Sequence, residues 1–128
     1  MSNALVDNIG NASGSLTTPT EYVVRGSAKA WANLNGQGTI ALRDSLNVSS
    51  LVDNGTGDYT FNFSNAMASS NNAANTGNQM SASGGSVIWT GTRAYSASNL
   101  QIACAFNGGS ATYIDLNLVV MELNGDLA

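Results

Sequence analysis

Apolar and polar residues alternate along most of the chain after Glu21, and this period of two is typical of β-strands with one buried face. Stretches that alternate, or that form short apolar runs between turn signals, are residues 22–25, 28–34, 39–43, 47–52, 58–63, 87–90, 100–106 and 113–120. Tyr59, Phe61 and Phe63 form the clearest core stripe of the first half. The last two stretches flank Asn107-Gly108-Gly109-Ser110 and predict the best-defined hairpin.

Short strands separated by turn clusters predict an all-β fold, namely an antiparallel β-sandwich or jelly-roll-like domain with about seven or eight strands. No stretch clearly predicts a stable α-helix. The turn Asp53-Asn54-Gly55-Thr56-Gly57-Asp58 is rich in oxygen ligands, but it lacks the spacing and the closing Glu of a calcium loop. We therefore interpret it as a hairpin turn.

Two segments depart from the alternation. Met1–Thr20 has irregularly spaced apolar residues and predicts an extended N-terminal arm, either a frayed terminus or a segment that packs on a neighbouring subunit. Residues 21–128 then form a single β-sandwich domain. Ser64–Met80 has no large apolar residue between Met67 and Met80, and it predicts a long functional loop, with a short helix over 65–74 as the alternative.

The amino-acid composition limits the functions that this chain can have. The chain has four basic residues, eight acidic residues, no His and a net charge of −4, so it cannot form the basic patch that nucleic-acid binding requires. The absence of His removes the commonest general base and metal ligand, and the one Cys excludes an intramolecular disulfide. We expect no enzymatic activity, no metal, no cofactor and no membrane insertion.

Cysteine and tryptophan have alternative roles. Cys104 shares the apolar stripe of its strand and is predicted to be a buried, inert thiol. Trp31 and Trp89 are predicted to pack in the core, and the alternative is that they are platforms on which a sugar ring stacks.

One long motif resembles a known family. The sequence Lys29-Ala-Trp-Ala-Asn-Leu-Asn-Gly-Gln-Gly-Thr39 continues through Ile40-Ala-Leu-Arg-Asp-Ser-Leu-Asn-Val-Ser-Ser50 to Asp53-Asn-Gly-Thr-Gly-Asp-Tyr-Thr-Phe-Asn-Phe63. This stretch resembles a domain of tailed bacteriophages and prophages with the pattern KAWVNFNGTGT, IRDSFNVSSI and DNGTGDYTVNF. In that family the domain ends tail-fibre-like proteins or forms short free-standing virion proteins. Ala32 and Leu34 replace the usual Val and Phe, which implies a lighter core here.

The resemblance implies a non-enzymatic virion structural protein on the phage particle, made in the host cytoplasm. Because the chain begins with its own Met1, we expect a free-standing gene product that attaches to other virion proteins through its arm. The first expectation is a tail-fibre or receptor-binding component, trimeric by resemblance, that attaches to a host surface glycan or protein. The alternative is a capsid decoration protein on the phage head, and a glycan-cleaving depolymerase is a third hypothesis.

Receptor contacts are predicted in the polar segment 69–78, because Asn, Ser and Thr side chains match sugar hydroxyls in hydrogen-bonding capacity. The predicted contact residues are Asn71, Asn72, Asn75, Asn78 and Trp89.

Overall fold

The computed structural model describes residues 6–79, 88–107 and 111–128, which form an all-β, sandwich-like fold with one short helix. The elements are β1 (Asn8–Gly10), β2 (Thr17–Pro19), α1 (Thr20–Gly26), β3 (Ala28–Asn35), β4 (Ala41–Leu46), β5 (Val48–Gly55), β6 (Asp58–Phe63), β7 (Ala73–Asn78), β8 (Ile88–Tyr95), β9 (Asn99–Asn107), β10 (Ala111–Tyr113) and β11 (Val119–Asn124).

Two antiparallel sheets enclose the core. The first has the strand order β4-β3-β11-β7, and the second has β9 at its centre, where it pairs with β6, β8 and β10, while β5 pairs with β6. A separate hairpin of β1 and β2 precedes both sheets. The predicted antiparallel β-sandwich is therefore confirmed.

The core forms where the apolar stripes of the two sheets meet. The predicted stripe Tyr59–Phe61–Phe63 is buried, and so is the stripe Leu100–Ile102–Cys104 of the neighbouring strand. The first sheet contributes the inward side chains of β3 and β11, which are Ala30, Ala32, Leu34, Val119, Met121 and Leu123. Period-two alternation thus correctly identified the inward faces of β3, β6 and β9.

The described residues form eleven strands, more than the seven or eight predicted. Three of them, β1, β2 and β10, have three residues each, which is too short for an alternating pattern to show in the sequence. A fourth, β7, consists of small and polar residues.

The predicted strand at residues 22–25 is wrong, because these residues lie in α1. Pro19 precedes the helix, Glu21 lies in its first turn and Arg25 in its last turn, an arrangement of charges that favours the helix dipole. The arm is also not simply extended, since β1 and β2 pair within it. None of the residues of α1 is buried.

The predicted hairpin of residues 100–106 and 113–120 is confirmed only next to its turn, where residues 105–107 pair with 111–113, and its continuation is wrong. β9 pairs with β10 over three residues only, and the chain then crosses to the other sheet, where β11 pairs with β3 and β7. Asp115 and Leu116 lie in the crossing segment. The Leu116 side chain is buried, and the Asp115 carboxylate accepts a hydrogen bond from Tyr59 of β6. The predicted turn at residues 108–110 lies outside the described residues.

The predicted long loop over residues 64–80 is wrong in its second half, where β7 pairs along its whole length with β11. In its first half, Met67 is buried and forms an isolated bridge with Leu127, so this part is tied to the C-terminal end. No helix forms over residues 65–74. The strand predicted at 87–90 is β8, of which Val87 lies outside the described residues.

Candidate functional site

The outer face of the first sheet carries a row of side chains in register. Trp31 of β3 pairs with Leu46 of β4 and with Glu122 of β11, and Glu122 pairs with Asn75 of β7. Because neighbouring residues on these strands, such as Ala32 and Met121, point into the core, the four side chains of the row lie on the outer face. An aromatic ring, a carboxylate and an amide thus lie side by side on paired strands.

A groove of about 450 Å³ runs over this row between β3, β11 and β7. Its lining residues are Trp31, Ala32, Asn33, Asn75, Thr76, Gly77, Val120, Met121 and Glu122. Gly77 keeps the groove open, because a Cβ at this position would lie 3.1 Å from Cγ2 of Val120. The groove has an apolar base with polar groups around it, which is the usual composition of a small-molecule site.

Polar side chains of the groove are held by their neighbours. Asn124 Nδ2 donates to Glu122 Oε1 at 2.9 Å, and Arg43 Nη1 donates to Asn33 Oδ1 at 3.3 Å. The Oδ1 atom of Asn124 is buried and has no hydrogen-bond partner among the described residues. These bonds fix the Glu122 carboxylate and the Asn33 amide in place and leave further lone pairs and N–H groups for a ligand.

The structure separates the predicted contact residues. Asn75 lies in the groove, whereas Asn72 borders a smaller cavity of about 160 Å³ beside Tyr95. Asn71 is exposed in the turn before β7, and its N–H donates to Ser69 Oγ at 3.1 Å. Asn78 accepts from Thr90 Oγ1 at 2.7 Å, a bond that joins β7 to β8 of the other sheet.

The prediction that both Trp side chains pack in the core is wrong. Trp31 is half-buried on the outer face of the first sheet, and Trp89 is 41% exposed on the outer face of the second. Trp89 therefore cannot share a site with Asn75. The alternation of Trp31 with Ala30 and Ala32 is the signal that could have placed its ring on the outer face, whereas the pairing with Glu122 could not be seen in the sequence.

A second polar cluster lies on the outer face of the other sheet. The buried Asp58 carboxylate forms an ion pair with Arg93, accepts from Gln101 Nε2 at 2.7 Å and from Asn54 Nδ2 at 3.2 Å. The Arg93 guanidinium also lies 5.4 Å from the ring centroid of Tyr113. The carboxylate of Asp58 is thus fully engaged by the protein itself.

The Asp115 carboxylate holds the crossing segment against the second sheet. Its Oδ1 accepts from the Tyr59 hydroxyl at 2.8 Å and from the Gly57 N–H at 2.7 Å. Burial, strengthened by the bond to Asp115, raises the pKa of Tyr59 well above its ordinary value. Burial also raises the pKa of the Cys104 thiol, which agrees with its prediction as a buried, inert residue.

Within the described residues, no three His, Cys, Asp or Glu side chains lie close enough to hold a metal ion. No helix in the same part of the chain is long and apolar enough to span a membrane. Comparisons with protein-family models, with curated proteins and with solved structures gave no match for this chain. A ligand for the groove can therefore be proposed only from the chemistry of its own residues.

Proposed function

We propose that this chain is a non-enzymatic structural protein of a tailed-bacteriophage particle, exposed at the particle surface as a tail-fibre or receptor-binding component that attaches to the host. The groove beside Trp31 and Asn75 carries this proposal, because it joins an aromatic side chain to polar groups on a sheet face. The resemblance of residues 29–63 to the phage domain supports the setting.

The acidic residues that are tied into the sandwich support a binding role over catalysis. Asp58 is held by Arg93, Gln101 and Asn54, and Asp115 bonds to Tyr59 and Gly57. A glycosidase needs two carboxyl groups that face a shared cleft, one of them free to donate a proton. These two carboxyl groups are instead used to hold strands together.

The N-terminal arm and α1 together support attachment through several copies. Within residues 6–26 the exposed large apolar side chains are Val6, Ile9, Leu16, Tyr22, Val23 and Val24. An apolar surface of this kind gains most when another chain covers it. We propose that the arm packs on a neighbouring copy or on another virion protein, in a homo-oligomer that is a trimer by the family resemblance. Several weak sites then act together by avidity.

Particles that carry substituted copies of this chain test the proposal. The double substitution Trp31→Ala with Asn75→Ala removes two groove walls, and we expect adsorption to host cells to fall at least tenfold. Trp89→Ala is the matched control, because it removes an exposed Trp from the other sheet. Deleting residues 69–78 is unsuitable because β7 is an integral strand. Unchanged adsorption of the double variant would refute a receptor role for the groove.

The exposed arm fits a second function, a capsid decoration protein on the phage head, equally well. Such a protein binds the shell through an exposed segment and is present in many copies. Antibody labelling of intact particles separates the two: label on the tail at low copy number supports attachment, and label over the head at high copy number supports decoration. Release of soluble sugar from host capsule by the purified chain would instead indicate a depolymerase.

A further inference from the structure

We infer that the groove is a saccharide subsite that takes an uncharged pyranose and rejects acidic sugars, with Glu122 as the selecting residue. The inference rests on the proposed function, since it names the receptor class of the same groove. It concerns the chemistry of four side chains, Trp31, Asn33, Asn75 and Glu122, which the fold brings together from three strands.

The shape of the groove suits a sugar ring. Its volume of about 450 Å³ lies within the range of about 300–1,000 Å³ for small-molecule sites. The Trp31 indole is a rigid, amphipathic surface for the apolar C–H face of a pyranose. Gly77 and Val120 leave an open apolar base beside it, because Gly77 has no side chain.

The hydrogen-bonding groups match hydroxyls. Glu122 uses one carboxylate oxygen to accept from Asn124, and a carboxylate has about four lone-pair sites, so two neighbouring hydroxyls can donate to the rest. Asn33 uses its oxygen to accept from Arg43, and its NH₂ group has no partner within the described chain. Asn75 is likewise without a side-chain partner among those residues and offers a donor and an acceptor.

Charge decides the selectivity. Glu122 is the only ionisable residue among the described residues that line the groove, and the whole chain has a net charge of −4. A sugar carboxylate near Glu122 is repelled and loses hydration, and the Arg43 guanidinium behind Asn33 is bound by Asn33, Asn35 and Asn117 and does not line the groove. A neutral hydroxyl at the same point gains a charge-assisted hydrogen bond. An uncharged pyranose is therefore bound in preference to the corresponding uronic acid.

Matched sugars make the test sharp. The purified full chain is titrated with the methyl pyranosides of glucose, galactose and mannose and with the corresponding uronic acid glycosides, and binding is followed by the indole N–H resonances. We expect at least one neutral glycoside to shift the Trp31 signal, with at least tenfold weaker binding of its uronic acid. Asn75→Ala weakens that binding tenfold or more by the Trp31 signal, Trp31→Ala does so by the side-chain amide resonances of Asn75, and Trp89→Ala leaves it unchanged.

Glu122→Gln tests the selecting residue directly. The amide keeps the shape and can still bond to Asn124, so we expect the preference for the neutral sugar to fall to about threefold or less. Thermal melting of each variant shows that it folds. Equal binding of both sugars by the wild type, or an unchanged preference in Glu122→Gln, refutes the inference.

Failure of this inference differs from failure of the proposed function. If no glycoside binds the purified chain, but particles with Trp31→Ala and Asn75→Ala lose adsorption, then the groove recognises a protein receptor. That outcome overturns the saccharide subsite and leaves the attachment role intact. Binding of a lysine-rich peptide at the Trp31 signal in place of any sugar would overturn it in the same way.

Discussion

The structure predicts how much the hydroxyl of Tyr59 contributes to the free energy of unfolding and how this contribution changes with pH. The side chain is fully buried, and its hydroxyl donates to Asp115 Oδ1 at 2.8 Å, with Gly36 O at 3.1 Å as a second acceptor. A hydrogen bond to a charged group contributes about 1.5–3 kcal/mol. Because Asp115 keeps its bond from Gly57 N–H when the hydroxyl is removed, we expect Tyr59→Phe to lower the free energy of unfolding at pH 7 by about 2 kcal/mol.

The difference between wild type and Tyr59→Phe should then shrink at high pH. The pKa of Tyr59 is raised by folding, so its stabilising effect is complete below the ordinary value of 10.0 and is lost as the pH rises above it, since only the unfolded chain releases the proton. The wild type loses about 1.4 kcal/mol per pH unit in that range, and Phe loses nothing. The two proteins should therefore reach equal stability near pH 11.5, roughly 1.5 units above 10.

Urea unfolding of both proteins at steps from pH 7 to pH 11.5, followed by circular dichroism, measures this difference. Every other ionisable group is common to both proteins, so its contribution cancels when one curve is subtracted from the other. A constant gap across the whole pH range would show that Tyr59 ionises as easily in the fold as in the unfolded chain. No gap at pH 7 would show that the hydroxyl does not hold the crossing segment.

Three further predictions concern other parts of the chain. Gly57 and Gly38 both have a positive φ, +63° and +65°. Of the two, only Gly57 is packed against backbone, since a Cβ there would lie 2.5 Å from Cys104 O and 2.7 Å from Ile114 N. We therefore expect Gly57→Ala to lower the free energy of unfolding by at least about 2 kcal/mol more than Gly38→Ala in the same urea assay. Deleting residues 1–26 should change the unfolding free energy by less than about 1 kcal/mol, because no residue of α1 is buried and its ion pair from Arg25 to Asp126 is exposed. A larger loss would mean that the sandwich depends on the arm and α1. Cys104 should react with a thiol reagent only after unfolding, as burial raises its pKa, and fast labelling of the native protein would contradict its position in the core.

The strands that the sequence predicts well are those with one large apolar face. Tyr59, Phe61 and Phe63 alternate without a break, and so do Leu100 and Ile102, so period two is enough to locate β6 and β9 and their inward faces. β7 could not be found in this way, because its residues Ala73–Asn78 are small or polar and its place comes from pairing with β11. Strand propensity is a weak guide where the neighbours decide.

The candidate groove depends on long-range pairing and is therefore harder to predict. Asn75 was correctly placed on the surface by its polarity, but its neighbours Trp31 and Glu122 lie more than forty residues away on either side along the chain. The alternation of apolar and polar residues over 113–120 extends beyond β10, which ends at Tyr113. It does so because Ile114 and Leu116 of the crossing segment pack in the core without forming a strand. The pattern of apolar residues indicates which side chains are buried, whereas the strand that each strand pairs with depends on the whole fold.

The ion pair between Arg25 and Asp126, 3.3 Å long, places the start of the sandwich beside its final residues. β3 leaves this end of the domain and β11 returns to it, since Asn124 pairs with Ala28. A carrier protein could therefore accept residues 25–128 as an insert within one of its own surface loops with little rearrangement. Such a chimera would display the outer face of β3 and β11 sideways from the point of insertion, and it offers a way to present the domain in defined copy number on an unrelated scaffold.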